Sequence, residues 1–155
     1  MHIAKRSLIA AVGIVLVLTA CSGDDNKALT KDDFLKSGNS ICSKGNDVTQ
    51  AAASSSFGSL TSQPTPDQIA KYFNETLEPS IRSQIDAVDK LNPPKDLQAQ
   101  VDKFIADARK ALDDVKKKVA SDPAAAFNDS QDPFSNVSSE ASALGLNVCG
   151  SDSNS

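Results

Sequence analysis

The chain has 155 residues, enough for one domain, with 20 Asp and Glu against 16 Lys and Arg and a single histidine. That acidic balance excludes a nucleic-acid surface, which needs clustered positive charge. The histidine is His2, so everything beyond the first residues lacks the commonest general base and the commonest metal ligand.

The N-terminus reads in three zones. His2, Lys5 and Arg6 open it, Leu8 to Leu18 is unbroken apolar sequence, and the small residues Thr19-Ala20 follow. That is the layout of a secretory signal peptide. The apolar run is about half of the ~20 residues that a transmembrane helix needs. The residues after it, Ser22-Gly23-Asp24-Asp25, supply no basic stop-transfer cluster, which argues against an uncleaved anchor. Leu18-Thr19-Ala20-Cys21 resembles the bacterial lipobox. The resemblance implies transfer of a diacylglycerol to the Cys21 thiol, cleavage before Cys21, and attachment to the outer face of the cell membrane through that lipid. One acyl chain binds a membrane marginally, whereas two or three hold firmly. Residues 1–20 are then a leader and residues 21–29 a polar tether. Loss of Lys5 and Arg6 leaves 14 basic against 20 acidic residues, a formal charge of −6. Anionic headgroups repel such a chain, so the lipid alone must anchor it.

The first helix is predicted to begin after Thr30, a good N-cap, with Asp32 and Asp33 at the positive end of its dipole. Phe34, Gly38, Ile41, Gly45, Val48 and Ala52 recur on one helical face. Gly38 and Gly45 each cost roughly 1 kcal/mol against alanine, so their place on the stripe implies a close helix neighbour. The run Ser54 to Ser59 is expected to be a loop. The second segment opens on Thr65-Pro66-Asp67-Gln68, an N-cap, a proline at the first helical position and a capping box. Its apolar period runs from Ile69 to Leu91 across Pro79, which predicts one helix kinked at Pro79 rather than two. Asn92-Pro93-Pro94 stops it.

The third segment, from about Pro94 to Ala120, carries Val101, Phe104, Ala108, Leu112, Val115 and Val119 on one face and charges on the other. Lys116-Lys117-Lys118 reads as a solvated helix end rather than a basic patch. Asp122-Pro123 caps a short turn that holds Phe127. Asp132-Pro133 caps a last helix bearing Phe134, Val137, Ala141 and Leu144, and Gly145 is its left-handed stop with Leu146 folding back. Residues 150–155 form a polar tail.

Once Cys21 is given to lipid, Cys42 and Cys149 remain. An even pair outside the cytoplasm forms a disulfide, and two cysteines without histidine make a poor zinc site. The expected fold is all-α: an antiparallel four-helix bundle over residues 30–149, stapled from the first helix to the C-terminal end by Cys42–Cys149. Phe34…Ile41-Cys42, Leu91-Asn92-Pro93-Pro94 and Leu144-Gly145-Leu146-Asn147-Val148-Cys149 also resemble a class of small actinobacterial lipoproteins. That resemblance implies the bundle and the disulfide, and it carries no activity and no further site.

No nucleophile–base set, phosphate-cradling glycine loop or metal-ligand spacing occurs, so no enzyme, cofactor or metal is expected. The pairs Asp24/Asp25, Asp32/Asp33 and Asp113/Asp114 read as caps or solvated faces. The sequons at Asn74, Asn128 and Asn136 read as chance matches in a bacterial chain. Two functions stay open. One is a non-enzymatic interaction module of the cell envelope, binding a protein or the cell wall. The other is a small-molecule or lipid carrier with an interhelical apolar pocket, for which Tyr72, Phe73, Phe104, Phe127 and Phe134 are the candidate lining.

Overall fold

The structure is a computed structural model that describes residues 27–58, 63–127 and 132–151. The leader, Cys21, Asp24-Asp25, Asn128 and the last residues of the tail lie outside the described residues. Every regular element among the described residues is helical: α1 (Lys31–Phe57), α2 (Pro66–Tyr72), α3 (Glu78–Asp89), α4 (Gln98–Ser121) and α5 (Ser135–Leu144).

The local signals work as written. Thr30 Oγ1 accepts from the Asp33 amide at 3.2 Å, and at Thr65 both halves of the capping box are made with Gln68. Asp132 Oδ1 accepts from the Phe134 amide at 2.9 Å ahead of α5. Gly145, at φ 90°, ends α5, with the amides of Gly145 and Leu146 bonded back to Ser142 and Ala141. That pair of bonds is a Schellman closure, and it turns Leu146 completely into the core.

Pro79 does not split its segment. α2 and α3 are joined by a π-helical turn, Phe73–Leu77, in which the Glu78 amide reaches Phe73 O. In a regular helix the Pro79 ring would meet the Glu75 carbonyl and leave it without a donor. The wider turn absorbs that conflict, so residues 66–89 run as one helical segment.

α3 packs on both α1 and α4, and α4 packs on α5. The predicted α4 stripe is buried throughout, from Val101 to Val119. α1 departs from expectation in three ways. Its buried face is Phe34, Gly38, Cys42 and Gly45, rotated from the predicted stripe, so Val48 is 57% exposed. From Gly45 the face continues to Thr49, whose carbonyl accepts from Tyr72 Oη at 2.9 Å. The helix also runs through Ser54 to Phe57, because Ser55 Oγ bonds Ala51 O and the Phe57 ring meets Tyr72 edge-on at 5.0 Å. Finally, only Gly45 admits another helix: a Cβ there would strike Gln84 of α3. At Gly38 the close neighbour is the Leu146 side chain.

The charged face of α4 is more than a solvated surface. Arg109 holds Asp86 and Asp89 of α3, both at 2.9 Å, and Lys103 holds Asp107 and Glu140 of α5. Lys116 leaves the expected solvated run and reaches Glu78 at 3.3 Å. Exposed pairs of this kind contribute little to stability, because water and salt screen them. Glu78 is the buried member, bonded to Arg82 at 2.7 Å. The Arg82 hydrogen bonds hold its carboxyl below the usual carboxylate range, against the opposing push of burial.

Candidate functional site

The disulfide sets one boundary of the site. Cys42 on α1 and Cys149 are joined, with Cα atoms 5.1 Å apart. Around it the C-terminal turn is laid on α1 by hydrogen bonds. Asn39 Nδ2 donates to Gly145 O at 3.1 Å, and the Val148 amide donates to Asn39 Oδ1 at 2.8 Å. Leu146 fills the space that Gly38 leaves open. α1 is thus tied to the end of the chain at this level, whereas α1 and α5 are not among the closely packed helix pairs.

A cleft of about 660 Å³ opens above the disulfide, and its lining draws on α1, α3, α4 and α5. Ile81, Ile85 and Val88 of α3 line it together with Leu77 at the end of the π turn, and Phe104 and Ala108 of α4 join them. Val137 of α5, Phe134 just before that helix and Phe127 complete the apolar lining. Phe127 is 46% exposed, so the residue expected to be held in its turn is instead half out of it, and Ala126 takes the buried place. Its ring lies 6.1 Å from that of Phe73, which braces it from behind. The polar lining is Asn46, Gln84, Asp132, Ser138 and Ser151. A volume of this size with mostly apolar walls and a few polar groups is the usual form of a small-molecule site.

The cleft brings together three of the five aromatic residues marked from the sequence, Phe104, Phe127 and Phe134. Phe73 is buried beneath it, and Tyr72 turns away to α1, where burial pushes its hydroxyl pKa upward. Leu77, Ile81, Ile85 and Val137 were assigned to core stripes. Their sequence signal is identical to that of core residues, so periodicity could not mark them as a wall. The π turn matters here, since it ends on Leu77 at the cleft and delivers Glu78, the next residue, to the ion cluster with Arg82 and Lys116.

Two other depressions, of about 510 and 460 Å³, include ion-paired side chains such as Lys110, Asp114 and Arg82 in their borders. Asp32 and Asp33 sit in the first turn of α1, and Asp113 and Asp114 pair with Arg82 and Lys110. Among the described residues no group of three or more His, Cys, Asp or Glu is disposed to hold a metal ion. No helix among them is long and apolar enough to cross a membrane. No family model matches the chain, and no curated protein and no solved structure is detectably similar to it.

Proposed function

We propose that this chain is an extracytoplasmic lipoprotein, anchored through Cys21 to the outer face of a bacterial membrane, whose helical domain binds an apolar ligand without catalysing a reaction. The observation that carries the binding is the cleft of about 660 Å³ walled by α3, α4 and α5. The helix order that best accounts for it is an antiparallel four-helix bundle with one loosened seam. Leu29 before α1 bonds Asn92 after α3, and Phe57 at the end of α1 meets Tyr72 in the first part of the continuous 66–89 segment, as antiparallel neighbours require. The seam between α1 and α5 is held near the disulfide and opens into the cleft beside it.

Filling the cleft tests the binding. Val137 of α5 and Ile81 of α3 are half-buried lining residues. Val137→Trp or Ile81→Trp is expected to weaken binding of the uncharged apolar dye N-phenyl-1-naphthylamine by about tenfold or more, which is ~1.4 kcal/mol. Dye fluorescence reads the affinity, and the melting temperature shows that the fold persists. Unchanged dye binding in both variants would reject the cleft as the site.

The anchor is tested separately by the intact mass of the protein taken from its membrane. The expected product begins at Cys21 and carries acyl mass on that residue. A product that keeps residues 1–20, or an unmodified Cys21, overturns the attachment.

A protein contact is the second reading. Val48 on α1 and Phe127 are both large apolar side chains left in solvent. Phe127 already belongs to the cleft, which favours the ligand over a protein partner as its primary occupant.

A further inference from the structure

The lining of the cleft has a charge pattern that bears on what enters it. Its polar members are two amides, Asn46 and Gln84, two hydroxyls, Ser138 and Ser151, and one carboxylate, Asp132. Among the described residues that line the cleft there is no lysine or arginine, although the described surface carries many. Asn46, Gln84 and Ser138 are half-buried, so they face the cleft with restricted access to water. Among the described residues, no hydrogen bond ties up the side chain of Asn46 or Ser138. Gln84 makes only a long contact, Nε2 to Ser80 Oγ at 3.5 Å. These groups are donors and acceptors without charge, and they are available.

An anionic headgroup placed here would meet Asp132 and would have no cation to pair with. Desolvating an unpaired charge is far more costly than desolvating a hydroxyl that finds a partner. The net negative charge of the chain adds to the repulsion. A neutral, hydroxylated headgroup meets no such penalty. It can donate to Asp132 and exchange hydrogen bonds with the amides and hydroxyls.

Size narrows the ligand further. At about 30 Å³ for a group the size of a water molecule, a cleft of this volume holds roughly twenty non-hydrogen groups. That matches one acyl chain with a small head and is less than both chains of a bilayer phospholipid occupy. Resting on the reading of the cleft as a ligand site, we infer that it takes a neutral single-chain amphiphile with a hydroxylated head, of the monoacylglycerol type, from the membrane to which the protein is tethered.

Displacement of bound N-phenyl-1-naphthylamine from the processed chain, residues 21–155, tests this. The displacing lipids are 1-monooleoylglycerol, lysophosphatidylglycerol and oleate, each below its aggregation threshold and at pH 8. The expected result is that the monoacylglycerol displaces the dye at a concentration about tenfold lower than either anion. Asn46→Lys together with Ser138→Lys should erase or reverse that order, because a cation then lines the cleft. Equal displacement by all three, or preference for an anion in the unaltered chain, overturns the headgroup assignment while the cleft remains a ligand site. Dye binding that is insensitive to both Val137→Trp and Ile81→Trp removes the underlying site instead, so the two failures are told apart.

Discussion

Cys42→Ser combined with Cys149→Ser is expected to lower folding stability by about 4–5 kcal/mol. The bond joins residues 107 apart in sequence, so it closes nearly the whole described fold into a loop. In the chain-entropy account a loop of that length removes about 4.7 kcal/mol worth of freedom from the unfolded chain. Little of this is offset in the native state by loss of position. The Asn39 hydrogen bonds to Gly145 and Val148, and the contact of Leu146 with Gly38, still hold the C-terminal turn on α1. The variant should therefore fold to the same helical content and unfold at a lower denaturant concentration, the difference read from urea titrations of the oxidised wild type and the double variant. A loss under ~1 kcal/mol would show that the bond does not constrain the unfolded chain as its span requires.

Leu146→Ala is expected to destabilise by about 2–5 kcal/mol, the range for emptying a fully buried leucine site. Leu146 has no exposed surface, it lies beyond the last helix, and its side chain occupies the gap beside Gly38. Its loss leaves a cavity between α1 and the C-terminal turn, and the Schellman closure that delivers it cannot fill that space. Val48→Ala is the matched control. Val48 lies on the predicted α1 stripe but is exposed, and an exposed site of this kind changes stability by only ~0.5 kcal/mol in either direction. Thermal or urea unfolding of the two variants separates the outcomes. Equal losses would mean that the α1 face is oriented as its hydrophobic period suggested, and not by the disulfide and the C-terminal turn.

The comparison of Leu146 with Val48 shows where reading the chain succeeds and where it fails. Capping residues act on amides two or three positions away, so Thr30, Thr65, Asp132 and Gly145 were readable from neighbouring residues alone. The α4 stripe was readable because its helix is packed along its whole length. Pro79 announced a disturbance, but whether the helix breaks, bends or widens depends on what the surrounding turns can accommodate. Here the π turn widens between Phe73, buried in the core, and Glu78, held by Arg82 and Lys116. The exact face of α1 was not readable. Phe34, Gly38 and Gly45 are compatible with two neighbouring rotations, and distant residues choose between them: Leu146, Gln84 and Cys149.

The sequence by itself determined that the described part is helical, where most of its helices start and stop, and that Cys42 and Cys149 have each other as partners once Cys21 is set apart. These are consequences of local hydrogen bonding, of period, and of counting. Tertiary structure alone decided that α1 and α5 part beside the disulfide, and that Leu77, Ile81 and Val137 therefore face a cleft rather than one another. The physical reason is that an apolar side chain carries the same signal whether it meets a neighbour or an opening. Only the spacing of the helices, set by the small residues of α1 and by the turn that Leu146 anchors, distinguishes the two.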